Sequence, residues 1–299
     1  MNKPENTSLE LSIIILSYNT RKLTVQTIES IYQSSVMKKD SYEIVVFDNN
    51  STDDTDQSLK KLTQHHKNLK FIKSPKNLGF SKGNNIAVES CIGKYLLFLN
   101  SDIIVHKEAI DKMLDFAKKQ KKDFFAGGKL LNQDGTPQPS CGPFYSLPVI
   151  FGAIFLRGDY WGLTRYSPDQ IKKVDWVSGA CLMTKKSTFI DLQGFDERIF
   201  MYMEEIDLLY RASKKKILTT FLSDCLFTHL GSASSKGKSY PIQQVFSGFT
   251  YFYRKHHHIS SQLVLKFMLQ FKSVLVINIA SIINNKELAN TYKNAQKYI

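Results

Sequence analysis

The apolar run Tyr95–Leu99 stops on Asn100, Ser101 and Asp102. Six residues make one buried strand, too short to cross a bilayer. A carboxylate at such a strand end is costly if buried alone and idle if it only meets water. Asp102 therefore either caps a helix starting near His106 or holds a charged ligand, for which a hard divalent ion bridging a diphosphate is suited. Asp48 closes a second apolar run, Tyr42–Asp48, and could accept hydrogen bonds from a base or a ribose. Dinucleotide binding is set aside by the exit of the first strand. Ser17, Tyr18, Asn19, Thr20 and Arg21 include no glycine, whereas G-x-G-x-x-G is what lets backbone amides approach a pyrophosphate. A P-loop is missing as well.

The elements that must position these residues follow from hydrophobic period. Leu11–Leu16 reads as a buried strand and residues 20–34 as a helix. Strand 42–48, helix 53–65, strand 69–73, helix 81–91, strand 95–100 and helix 107–119 continue the alternation. Strands of nearly continuous Ile, Val and Leu content between helices predict an α/β fold, with a mostly parallel sheet covered on both faces. Ligands on such sheets lie beyond the carboxyl ends of the strands, where SYNT (17–20), DNNSTDD (48–54) and NSD (100–102) would converge. From Gly127 to about Val174, Gly, Pro and aromatic residues break the period and predict long loops, the usual place for a lid or an acceptor wall. A strand over 174–184, helices over 185–192 and 203–215, and strands over 218–222 and 225–229 follow. After Ser239 the pattern is helical.

Composition bounds the rest. The chain has 299 residues, 40 Lys and Arg against 27 Asp and Glu, and a formal charge of +13. From Gly231 onward there are nine Lys or Arg and one acid, Glu287, so the end of the chain is strongly basic and suits an anionic surface. Four widely spaced cysteines without a C-x-x-C pair argue against a disulfide scaffold or a zinc site and for a reducing compartment. With no signal-like apolar stretch at the N-terminus, a cytoplasmic location is expected.

Six segments together resemble one family. IIILSYN (13–19), VVFDNNSTDDT (45–55), NLGFSKGNN (77–85), LFLNSD (97–102), VSGACLMTKK (177–186) and GFDERIFMYMEEIDLLYR (194–211) are similar, in order, to family 2 inverting glycosyltransferases of GT-A type fold, in the rhamnosyltransferase-like group. The resemblance covers roughly residues 11–235. It implies a catalytic domain over 1–235 and a basic helical region over 236–299. Asn19, Asp48, Ser51 and Asp53 would surround the nucleoside. Asn77, Gly79, Phe80 and Asn84 would close over the donor. Asn100 and Asp102 stand at the first and last places of the family's D-x-D, here N-x-D, and His229 matches a histidine that completes the metal shell. One carboxylate and one imidazole suit Mn²⁺ or Mg²⁺. The cluster of Glu204, Glu205 and Asp207 would supply the base that takes the acceptor's proton. The family's base position is Glu205 here, one methylene longer than the usual Asp, with Glu204 as the alternative. Asp207 would orient the acceptor or pair with Arg211, and Trp176 is suited to stack on a sugar.

Each residue also has a plainer reading. Asp207 and Arg211 are spaced as a helix ion pair, His229 and Trp176 could be structural, and Asn77 could belong to a turn. His256, His257 and His258 are adjacent and cannot all face one metal on a helix; they read as a solvated or headgroup-facing patch. Residues 261–283 place Leu263, Phe267, Phe271, Val274, Leu275 and Ile282 largely on one side, interrupted by Lys266, Gln270, Lys272 and Asn278. That pattern fits a helix lying in a membrane interface, or a helix pair packed on the catalytic domain, better than a spanning helix. The expected partners are a nucleotide-sugar donor, a glycan or polyprenyl-linked acceptor and peripheral membrane, with no nucleic acid. The rival readings are a sugar-phosphate nucleotidyltransferase, whose Gly-rich loop is missing, and a nucleic-acid-binding protein using the basic end.

Overall fold

The computed structural model describes residues 9–231 and 239–299. Its first half alternates β1 (Leu11–Ser17), α1 (Arg21–Ser34), β2 (Tyr42–Asp48), α2 (Thr55–His65), β3 (Leu69–Lys73), α3 (Gly79–Glu89) and β4 (Tyr95–Asn100). Ile13, Ile14, Ile15, Val45, Leu97 and Phe98 are buried, as strands covered on both faces require. The four strands pair in parallel in the order β3-β2-β1-β4. Leu16 lies opposite both Phe47 and Asn100, so Ser17, Asp48 and Asn100 reach the same sheet edge.

The second half follows as β5 (Ile103–Val105), α4 (Ala109–Lys119), β6 (Phe124–Leu131), β7 (Pro137–Gln138), β8 (Cys141–Gly142), α5 (Leu147–Phe155), β9 (Lys172–Val174), β10 (Trp176–Val177), β11 (Cys181–Lys185), α6 (Lys186–Asp191), α7 (Glu204–Lys214) and β12 (Leu218–His229). β11 runs antiparallel between β4 and β6, while β12 is parallel to β6 and antiparallel to β5 and β9. The sheet is thus parallel through its first four strands and mixed beyond them. The chain has the GT-A type fold that its motifs imply.

Several local expectations change. Residues 124–131, half of which read as loop, form the central strand β6. Gly127 and Gly128 are required there by packing: a Cβ would come within 2.5 Å of Val177 Cβ at the first and 2.4 Å of the Phe227 ring at the second. The strand expected over 174–184 is three pieces. Trp176 and Val177 pair with β8 in a separate two-stranded sheet, and residues 178–180 turn toward the sheet edge before β11. The two strands expected over 218–229 are one, β12, with a bulge between Leu222 and Leu226. Asp102 caps no helix, since it sits in the turn between β4 and β5 and α4 starts only at Ala109. All four cysteines are free and buried.

The chain closes with α8 (Ser239–His256), α9 (Ile259–Ile282) and α10 (Lys286–Ala295). Phe246, Phe249, Phe252 and Tyr253 of α8 share one core with Phe98, Phe195, Leu208 and Leu209. The division expected at 235/236 therefore does not mark a core boundary. Only His258 of the histidine triplet is exposed: His256 bonds Asp207 at 2.7 Å, and His257 stacks on Tyr253 with ring centroids 4.2 Å apart. α9 is, among the described residues, the one helix long and apolar enough to cross a bilayer. It packs Leu265, Met268 and Leu269 inward.

Replacing Gly128 with Val should overpack β6 against Phe227 and cost about 1–3 kcal/mol. A lower urea midpoint with an unchanged slope would show it.

Candidate active site

The ends of β1 and β4, the turn before β11 and the start of α7 enclose a cleft of about 330 Å³. Asn77, Gly79, Phe80, Asn100, Asp102, Trp176, Glu204, Glu205 and His229 all line it, residues separated by up to 152 positions in the chain. Asn19, Asp48, Ser51, Asp53, Asn84, Asp207 and Arg211 do not.

On one side of the cleft, His229 Nε2 lies 3.3 Å from Asp102 Oδ1 and 3.3 Å from Asn100 Nδ2. His229 Nδ1 faces Gln138 Oε1 at 2.7 Å. Gln138 in turn donates its Nε2 to Asn132 Oδ1, which orients the amide and leaves Oε1 as the acceptor. The Nδ1 position therefore carries the hydrogen, and Nε2 turns toward a carboxylate oxygen. Two acceptors in that relation are relieved by a proton or a cation. The donor set of Asp102 and His229 fits a divalent ion with a hydrogen-bonded imidazole behind it. Among the described residues no group of three or more His, Cys, Asp or Glu gathers around one point.

The rim nearest β1 and β2 is a lattice of loop bonds. Asn19, at φ 53°, accepts Thr52 N–H at 2.7 Å through Oδ1 and donates its own N–H to Ser51 Oγ at 2.8 Å. Asp53 accepts Arg21 N–H at 2.8 Å, and Asp48 Oδ1 accepts Ser51 N–H at 3.0 Å. These side chains shape the rim instead of facing the cleft. Asp48 Oδ2 is buried without a hydrogen-bond partner among the described residues, a free acceptor behind the rim. Asn84 is likewise structural, donating to Phe80 O one turn back. Gly79 carries φ 81°, and a Cβ there would lie 2.6 Å from Phe200 O, so the turn entering α3 admits only glycine.

Opposite stands the acid pair. Tyr202 and Met203 both adopt left-handed backbone, φ 65° and 77°, and turn the chain into α7. Gly248 of α8 presses on that corner, where a Cβ would sit 2.6 Å from Met203 Cγ. The corner puts Glu204 and Glu205 on the first turn, where the helix dipole favours acids. Glu204 Oε2 and Glu205 Oε2 are buried with no partner among the described residues. Burial pushes the Glu204 carboxyl well above the usual range, and the charge of Glu205 adds to this. Burial also raises Glu205, but its own backbone N–H, the charge of Arg165 and the N–H of Gly179 pull against the rise. Both carboxyl pKa values are therefore raised, and Arg165 opposes the rise at Glu205.

Asp207 points away from both. It accepts from Arg211 Nε at 2.8 Å, Lys255 Nζ at 2.7 Å and His256 Nε2 at 2.7 Å. Burial alone would raise its pKa; His256, Lys255 and Arg211 overcome that and lower it. Arg211 also donates to the backbone oxygens of Leu192 and Gly194. Of the two roles open for Asp207, the pairing with Arg211 is the one formed, and neither residue reaches an acceptor. Trp176 lines the cleft but is only 2% exposed; its Nε1 donates to Pro143 O at 2.8 Å, and Tyr145 stacks on its ring.

Two cleft residues, and one behind the cleft, escape a sequence reading. Gln138 is 91 positions from the imidazole it orients, and nothing local marks it. Arg165 and Tyr145 lie in the aperiodic stretch, where an arginine among aromatics carries no pattern. Arg165 sits 5.6 Å over the Trp176 ring with its buried Nε unpartnered among the described residues.

Residues 12–170 match the profile of glycosyl transferase family 2, and the chain belongs to that family. It is 28% identical over 205 residues to N-acetylglucosaminyl-diphospho-decaprenol L-rhamnosyltransferase of Mycobacterium tuberculosis, covering 62% of this chain and 66% of that one. The chain thus spans just under two thirds of that relative's length. It is 30% identical over 214 residues to rhamnosyltransferase WbbL of Escherichia coli, covering 67% and 76%. Among solved structures, S. aureus TarS 1–349 superposes with a TM-score of 0.55 at 16% identity, covering 96% of this chain and 90% of that one; this shows the fold.

Asp207→Ala would leave Arg211, Lys255 and His256 facing one buried void and should cost about 3–5 kcal/mol. Because the native pKa of Asp207 is lowered, its stabilisation is complete above the unfolded carboxyl range and lost as pH falls through the native value. Acid unfolding of the wild type and the variant should therefore converge at low pH.

Proposed function

We propose that this chain is an inverting glycosyltransferase that moves a sugar from a nucleotide donor to a hydroxyl of a lipid-linked or polysaccharide acceptor, in cell-surface glycan synthesis at the inner face of the membrane. Rhamnose from a deoxythymidine-diphosphate donor is the first choice and a uridine-diphosphate sugar the second. Both reported relatives are named rhamnosyltransferases, which supports the first. The observation that carries the reading is one cleft holding an acid pair, each with one buried oxygen unpartnered among the described residues, opposite Asp102 and His229.

The chemistry assigns roles to this chain's own residues. Glu205, whose raised pKa Arg165 restrains, removes the proton of the acceptor hydroxyl once ionised. As that oxygen bonds to the anomeric carbon from behind, the bond from this carbon to the diphosphate oxygen breaks and a nucleoside diphosphate leaves. Glu204, its carboxyl pKa raised by burial and by the charge of Glu205, stands beside that residue. Asn77, Gly79 and Phe80 wall the donor side. Asp102 and His229 would hold Mn²⁺ or Mg²⁺, which would supply positive charge to the diphosphate.

Glu205→Gln should lower transfer about 10²- to 10⁴-fold while nucleotide binding, read by calorimetry, is retained. Should Glu204→Gln abolish transfer and Glu205→Gln spare it, the base is Glu204. The rate should rise with pH through the raised Glu205 pKa, because the ionised form is the base. Arg165→Leu should carry that acid limb to higher pH, since it removes the charge restraining the rise. Gln138→Leu should weaken Mn²⁺ binding in the presence of nucleotide about 10- to 100-fold, read by titration calorimetry.

A further inference from the structure

α9 is apolar on two faces. Leu265, Met268 and Leu269 are buried, yet Leu263, Phe267, Phe271, Val274, Leu275 and Ile282 are exposed, with Phe267 68% and Phe271 53% open to solvent. A helix on a water-facing surface normally turns polar residues outward. No acidic residue occurs between Ile259 and Ile282, and Lys266 and Lys272 are the only charges.

A second exposed apolar set adjoins it. Phe155, at the end of α5, lies 5.9 Å from the Phe271 ring, and Lys272 Nζ sits 5.7 Å over the same Phe155 ring. The loop that follows α5 exposes Leu156, Tyr160, Trp161 and Leu163. This loop is built, not slack: Leu163 N–H donates to Gly158 O at 2.8 Å, Tyr160 N–H to Arg157 O at 2.9 Å, and Thr164 Oγ1 to Asp159. Tyr160 and Trp161 pack edge to face at 5.1 Å, with both rings outward. Exposed Trp and Tyr beside aliphatic side chains suit the boundary between lipid headgroups and acyl chains.

We propose that the outward face of α9 and the loop from Leu156 to Leu163 form one surface that docks on an anionic lipid bilayer. Charge selects the occupant. Residues 239–299 hold seven Lys or Arg and one acid, Glu287, while in the loop exposed Arg157 is balanced by exposed Asp159, so the positive field comes from the helical end. Anionic headgroups complement that field, and the Lys stems can lie along the apolar face with their ammonium groups at headgroup level. A second copy would set the same basic segment against itself. The docking surface is joined directly to the cleft, because Tyr145 before α5 and Arg165 after the loop both line it.

The chain's two tryptophans make a direct test. Trp161 is 67% exposed and Trp176 is 2% exposed. The full-length protein, at low salt, would be mixed with phosphatidylcholine vesicles with and without phosphatidylglycerol, some carrying brominated acyl chains. It should sediment with the phosphatidylglycerol vesicles, and its tryptophan emission should be quenched by the brominated chains. Trp161→Phe should remove the quenching, because Trp176 is shielded. Phe267→Glu combined with Phe271→Glu should lower the bound fraction about tenfold, and added salt should weaken binding. Both side chains are exposed, so an unchanged melting temperature would certify the fold of this variant. Sedimentation unaffected by vesicles, unquenched Trp161, or binding indifferent to the double variant would each overturn the proposal. So would a solution mass of two chains that reverts to one in the double variant, which would assign the face to a second copy. None of these readouts requires sugar transfer.

Discussion

Asp207 has no exposed surface, yet it carries the burden of two helices. Arg211 reaches it from its own helix, while Lys255 and His256 reach it from α8. Water cannot substitute at that depth, so the carboxylate is satisfied only while α7 and α8 stay together. α7 begins with the acid pair of the cleft, and Val245 and Phe249 of α8 form part of the cleft wall. Gly248, pressed against Met203, maintains the left-handed corner that aims Glu204 and Glu205 inward. Without α8 the acids would lose both the corner and the backing that exclude water. Their raised pKa values depend on that exclusion.

The cleft is polarised by the elements that form it. β4, β12 and the hairpin carrying Gln138 bring a carboxylate and an oriented imidazole to one side, and α7 brings two poorly solvated carboxyls to the other. Arg165 lies between regions of opposite need. Its charge restrains the pKa of Glu205 while its plane covers Trp176. Two adjacent glutamates thereby meet different neighbours, and only Glu205 feels the charge of Arg165. Membership of glycosyl transferase family 2 gives that asymmetry a chemical use.

Much of the scaffold was legible in the chain. β1, β2 and β4 fall where nearly continuous apolar runs place them, because burial on both faces leaves no room for polar alternation, while β3 at the sheet edge keeps Lys70 and Lys73 exposed. Their polar ends meet at one edge because parallel strands put all carboxyl termini on the same side. β6 was not legible from local pattern. Its two glycines look like loop residues until Val177 and Phe227, distant in the chain, are seen to occupy the space of their missing side chains. The helical end was legible as helical, but its partition into a core helix, α8, and a half-exposed helix, α9, depends on which faces find partners.

The cleft divides along the same line. Asn100, Asp102, Glu204, Glu205 and His229 were recoverable from the sequence because the chemistry of each lies in its own side chain and its place in a short motif. Asn19, Ser51 and Asp53 were found as positions but not as roles, since only the folded loops show their bonds spent on one another. Local period and residue type therefore determined the sheet, its polar edge and the acids near it. Tertiary structure decided which acid is paired, which is starved of water and which residues, Gln138 and Arg165 among them, govern the rest. Those properties belong to surroundings drawn from distant parts of the chain, and desolvation and charge act through space without regard to sequence order.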